Sequence, residues 1–118
     1  MATMERKLLS GSLNGRGIKV AATATGDPGT TIHTAVAGTS DSDEIWIYAV
    51  NIQAGAVKLT LEWGDASVDD NIEVTIDGES GLTLVAPGLM LRNSLVVKAF
   101  AGTANVVILH GYVNRITA

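Results

Sequence analysis

The sequence is a succession of short apolar runs, cut at near-regular intervals by Gly, Asn, Asp and Ser. The clearest is Asp43-Glu44-Ile45-Trp46-Ile47-Tyr48-Ala49-Val50-Asn51-Ile52. After Gln53-Ala54-Gly55-Ala56 comes Val57-Lys58-Leu59-Thr60-Leu61-Glu62-Trp63, in which apolar and polar residues alternate. A period of two marks a strand with one buried face. Two such runs joined by a short Gly-containing link predict a β-hairpin. Further strands are predicted over 18–25, 30–37, 71–77, 81–91, 95–101 and 105–116. Gly26-Asp27-Pro28-Gly29 is a strong turn signal. Pro87-Gly88 interrupts the 81–91 strand, as at an edge or a bend. No stretch of ten residues carries a helical apolar stripe. The pattern specifies an all-β, single-domain antiparallel β-sandwich of about eight strands, with a jelly roll as the preferred form.

The chain of 118 residues fits one domain. Residues 1–17 read as an extended N-terminal arm and residues 18–118 as the sandwich. Gly11-Ser12-Leu13-Asn14-Gly15-Arg16-Gly17 has no periodicity, so nothing local should hold it. A helix over 3–9 would be marginal at that length. With no cysteine, neither disulfides nor thiolate zinc sites can form. The N-terminus has no apolar core of the kind a signal peptide needs. The longest uninterrupted apolar run, Ile45 to Val50, falls far short of the roughly 20 residues of a membrane helix. Net charge is −4, and eight Lys and Arg are spread along the chain. That is no basic stripe, so neither nucleic acid nor membrane is expected as a partner.

Several strands are apolar on both faces. Ile45, Ile47 and Ala49 point one way; Trp46, Tyr48, Val50 and Ile52 point the other. Leu95-Val96-Val97 and Val106-Val107-Ile108-Leu109 are unbroken runs. A lone sandwich turns one face of each strand to water, and no helix is expected to cover it. Charged residues are 17% of the chain, against about 25% in an ordinary globular domain. Both observations predict a homo-oligomer, with a second copy covering the surplus face.

No catalytic constellation stands out, so no enzyme, cofactor or metal is expected. Asp65, Asp69 and Asp70, with Glu62 and Glu73 at the rims, could offer oxygens to Ca²⁺. Their spacing fits no EF-hand, and turn chemistry explains acidic residues there. His33 and His110 each sit in a predicted strand with no second His or Cys nearby, and read as packed or hydrogen-bonded residues. A Ser-His-Asp set gains no support from a Gly-x-Ser-x-Gly elbow. Trp46, Tyr48 and Trp63 could stack on a sugar, but they lie within strands and read as core or interface anchors.

The stretch Thr34-Ala35-Val36-Ala37-Gly38-Thr39, the run Asp43 to Asn51, and Val57 to Gly64 resemble small virion proteins of tailed bacteriophages. So do Ser94-Leu95-Val96-Val97-Lys98-Ala99-Phe100-Ala101, Ala104-Asn105-Val106-Val107 and Gly111-Tyr112-Val113-Asn114-Arg115-Ile116. The resemblance spans about residues 30 to 117 and leaves the arm unmatched. It implies a capsid decoration (cement) protein, a trimer that binds the major capsid protein on the outer shell and stabilises the head. The expected capsid or subunit contacts are Arg6, Lys7 and Arg16, from the arm, with Trp46 and Tyr48. A tail, fibre or baseplate component, which could bind a carbohydrate or receptor, is the alternative.

Overall fold

A computed structural model describes residues 2–24 and 29–118; most of the turn expected at 26–29 lies outside them. Nine strands are formed among the described residues: β1 (Thr3–Leu8), β2 (Ile18–Lys19), β3 (Thr30–Thr34), β4 (Ser42–Asn51), β5 (Val57–Trp63), β6 (Asn71–Ile76), β7 (Thr83–Leu91), β8 (Val96–Ala101) and β9 (Val107–Thr117). The first sheet has the order β1-β9-β4-β7, with β2 also on β9. The second has the order β3-β8-β5-β6. All pairings are antiparallel.

β1 and β2 pair with successive stretches of β9 and occupy one sheet position. Each sheet therefore has four positions, and the chain passes back and forth between the sheets. This is the jelly-roll arrangement of an eight-position sandwich. The apolar alternation supplies the core between the sheets: Ile45, Ile47 and Ala49 from β4, Leu59 and Leu61 from β5, Val97 and Ala99 from β8, Leu109 and Val113 from β9.

Two expectations are corrected. The runs at 44–52 and 56–63 do not form a hairpin. β4 bonds to β7 and β9, whereas β5 bonds to β6 and β8 in the other sheet. Period two fixes which residues face inward but not which sheet the strand joins. The Gln53–Ala56 link is a crossing, and Asn51 holds it. Its buried side chain donates to Gly55 O (2.9 Å) and Ile76 O (3.0 Å) and accepts from the Gln53 amide (3.1 Å). Gly78 packs so close to this crossing that a Cβ would stand 2.1 Å from Ala54 O.

The N-terminal segment is not left to an outside partner. β1 pairs with β9 from Thr3↔Thr117 to Leu8↔Tyr112. No helix forms over 3–9. Beyond it, Leu9 is 2% exposed and part of the core. The strand predicted over 18–25 shrinks to Ile18–Lys19; beyond it the Val20 amide still reaches Val107 O at 2.9 Å.

Candidate functional site

Directly opposed residues in an antiparallel pair share a sheet face, so register builds the outer face of the first sheet row by row. Met4, Ile116 and Ser42 align across β1, β9 and β4. Arg6, Asn114, Glu44 and Met90 form the next row, then Leu8, Tyr112, Trp46 and Pro87. His110, Tyr48 and Leu84 follow, and Lys19, Ile108 and Val50 close the face. Met4, Leu8, Leu84 and Met90 are exposed, while Trp46, Tyr48 and Tyr112 are half-buried.

The middle of this face is tied together. The Trp46 and Tyr112 rings stack at 6.3 Å between centroids and 17° between planes. The Arg6 guanidinium lies 4.4 Å above the Tyr112 ring centre, a cation–π contact. Trp46 Nε1 donates to Glu44 Oε1 at 2.8 Å, and Asn114 Nδ2 donates to the same oxygen at 3.0 Å. These two donors, Trp46 first, hold the Glu44 carboxyl below its ordinary value. On the other side the indole lies against Gly88, whose φ is +78°; a Cβ there would stand 2.9 Å from the ring. Glycine is required twice over, for the backbone angle and for the ring's seat.

The sequence places Trp46 in the core or between subunits. Within one chain it is half-buried on the outside of the sheet, which removes the core. The full core cost of about 3–5 kcal/mol for Trp→Ala therefore does not apply. Trp46→Ala should cost about 1–2 kcal/mol in the isolated chain, from lost area and the lost Tyr112 stack. Chemical denaturation of the variant checks this; a loss above about 3 kcal/mol would show that the ring carries core packing after all.

A second constellation lies buried at the end of the sandwich where Asp43 enters β4. Asp43 is fully buried and receives a fork from Arg115, Nε to Oδ1 at 2.8 Å and a terminal nitrogen to Oδ2 at 3.0 Å. Its Oδ2 also accepts from the Val36 amide at 3.1 Å and meets His33 Nε2 at 2.7 Å. His33, 1% exposed, accepts the Ser10 amide hydrogen on Nδ1 at 3.0 Å. That ring nitrogen therefore carries no proton, and Nε2–H is the donor to Asp43. The Ser10 Oγ is turned away and accepts from the Thr34 amide at 2.7 Å. Ser10, His33 and Asp43 thus lie together without forming a nucleophile set: neither imidazole nitrogen is free to take the serine proton. The group is a clasp joining the 9–11 segment and β3 to β4 and β9. Burial alone would raise the Asp43 carboxyl; the hydrogen bonds from Arg115 and His33, with the Arg115 charge, outweigh it and hold the group below its ordinary value.

The sequence-predicted contact residues divide. Arg6, Trp46 and Tyr48 share the outer face of the first sheet. Lys7 is on the opposite side of β1 and pairs with Glu5 at 3.0 Å. Arg16 is exposed in the excursion between β1 and β2. Asp69 and Asp70 sit in a 3-10 turn capped by the Ser67 hydroxyl, and Asp65 accepts from the Ala66 amide. This is the turn chemistry expected of them. No group of three potential metal-ligating side chains occurs among the described residues. Glu62 is 2% exposed and lines a cleft of about 340 Å³ with Lys98, Asp65 and Leu95. Sequence reasoning misses Tyr112 and Asn114 as face residues, because only the β4–β9 register reveals them; Glu44 shares the face of Trp46 by alternation along β4.

No family model, curated protein or solved structure matches this chain.

Proposed function

We propose that this chain is a non-enzymatic structural protein of a tailed-phage virion, a capsid decoration (cement) protein on the outer shell. It would bind the major capsid protein as a homo-oligomer, with three copies the number that the sequence resemblance implies. The observation that carries the reading is the apolar and aromatic outer face of the first sheet. A solitary sandwich would turn that face, with the exposed side chains of Met4, Leu8, Leu84 and Met90, to water, and large apolar side chains gathered on one exposed face suit a site of interaction. The sequence resemblance supplies the virion setting. Attachment through repeated weak contacts suits a protein with many identical sites on a lattice, because linked copies raise avidity without strong single contacts.

The test is the protein content of purified heads and tails of the phage that encodes the chain. Many copies per head are expected, and heads lacking the chain should release their DNA at lower temperature. Detection at the tail tip alone would overturn the reading in favour of the tail, fibre or baseplate alternative. One feature favours that alternative as a carbohydrate binder: the Trp46–Tyr112 pair lies on an open sheet face. Against it, Glu44, Asn114 and Arg6, the polar groups beside the rings, bond to one another and to the rings.

A further inference from the structure

We propose that Asn14 is a site of spontaneous covalent modification. The Gly15 nitrogen displaces the Asn14 side-chain amide and leaves aspartate or isoaspartate at the tip of the excursion between β1 and β2. The chemistry is independent of the proposed function.

The excursion is fixed at its feet and open at its tip. The Gly11 amide donates to Ile32 O at 2.9 Å and the Ser12 amide to Leu9 O at 3.0 Å, and Ile18 enters β2 at the other foot. Between them Leu13, Asn14, Gly15 and Arg16 are all exposed. Asn14 and Gly15 have φ of +54° and +85°, and the Arg16 amide donates to Leu13 O at 3.0 Å. This is a type I′ turn, for which Asn-Gly is a favoured pair. In the left-handed conformation the Gly15 nitrogen is turned away from the Asn14 side chain, so the reaction waits for the turn to open. One water-exposed hydrogen bond closes the turn, and exposed tips of this kind open at little cost. Among the described residues no acceptor takes the Gly15 N–H, so the nucleophile is not committed elsewhere.

In the opened turn the Gly15 nitrogen gives its proton to solvent base and attacks Asn14 Cγ. The new N–Cγ bond forms, the Cγ–Nδ2 bond breaks, and Nδ2 leaves as ammonia. Water then opens the cyclic imide at either carbonyl. Cleavage of the new bond gives aspartate. Cleavage of the original peptide bond gives isoaspartate, with the main chain rerouted through the side chain. Either product adds one negative charge to a chain of net charge −4, in the same turn as Arg16.

The fold singles out Asn14 among the six asparagines. Only Asn14 precedes a glycine, which has no side chain to obstruct ring closure. Asn93 is exposed and left-handed as well, with φ of +64°, but the Ser94 amide that would attack donates to Val36 O at 3.1 Å. The Ile52 amide after Asn51 donates to Val106 O at 2.9 Å. Asn71 and Asn114 precede Ile72 and Arg115 inside β6 and β9, and Asn105 precedes the β-branched Val106.

Ageing of the purified full chain at mildly alkaline pH, followed by proteolysis and mass spectrometry, tests the proposal. The free peptide acetyl-Ser-Leu-Asn-Gly-Arg-Gly-amide is aged beside it as the reference. Asn14 should convert before any other asparagine, with both aspartate and isoaspartate among its products, and the intact protein should shift to a more acidic form on ion exchange. Asn14→Gln should remove that early shift. Asn14→Asp should melt with wild type, because the tip carries no core residue. An unaltered Asn14 once the free peptide has fully converted overturns the proposal, as does earlier conversion at Asn93 or any other asparagine. Aspartate as the sole product also overturns it, since direct hydrolysis needs nothing from Gly15.

Discussion

Asp43→Ala should destabilise this protein by about 3–5 kcal/mol, the cost of breaking a buried ion pair from one side. The carboxylate is fully buried and serves Arg115, His33 and the Val36 amide at once. Its removal leaves a buried imidazole N–H and a backbone N–H without acceptors, and a guanidinium facing an empty site. Asp43→Asn keeps the shape but not the charge, and separates packing from electrostatics. Because the folded-state carboxyl sits below its ordinary value, its stabilising contribution is fully present above the unfolded value of about 3.9. That contribution is lost as pH falls through the folded value. The stability gap between wild type and Asp43→Asn should therefore narrow as pH is lowered from about 7 to about 3. Urea unfolding at a series of pH values measures it. A gap that stays constant would mean that the ion pair contributes nothing beyond shape.

That clasp is out of reach of sequence reasoning for a physical reason. Ser10, His33, Asp43 and Arg115 are scattered from one end of the chain to the other. Only the sandwich register, Asp43↔Arg115 across β4 and β9, brings them together. Period two does reveal that His33 is a strand residue and that Trp46 and Tyr48 share a face. It cannot reveal Tyr112 and Asn114 beside them, because cross-strand partners are a property of pairing. The crossing at Gln53–Ala56 misleads for a related reason. A short Gly-containing link between apolar runs is the signature of a hairpin, and it serves equally well to carry a strand into the facing sheet. What distinguishes the two is Asn51, a buried polar side chain whose partners lie on the link and at the end of β6. β1 is invisible because Thr-Met-Glu-Arg-Lys-Leu is an edge strand, mostly exposed. Its charges suit an edge that must not pair with other chains, and they erase the alternation that marks a strand.

The same edge strand gives the second large expected effect. Deleting residues 1–11 should lower stability by about 4 kcal/mol or more, a large share of the 5–15 kcal/mol typical of a domain. Leu9, 2% exposed in the core, contributes about 2 kcal/mol by burial. Three hydrogen bonds from the 10–11 segment into β3 add roughly 1 kcal/mol each: Ser10 amide to His33 Nδ1, Thr34 amide to Ser10 Oγ, and Gly11 amide to Ile32 O. Removing β1 also bares one edge of β9 and makes the truncated chain prone to aggregation. Deleting only residues 1–7 should cost much less, since the side chains of residues 2–7 are mostly exposed and the clasp survives. Thermal melting of both truncations separates strand from clasp. A 1–11 deletion that melts within about 2 °C of the full chain would overturn the account. The result bears on any attachment experiment. A chain lacking residues 1–16 that fails to decorate capsids has lost part of its own core, so the failure cannot be credited to a missing anchor. The 1–7 deletion and Arg16→Ala leave Leu9, Ser10 and Gly11 in place, and they are the variants that ask whether this end of the chain touches the shell.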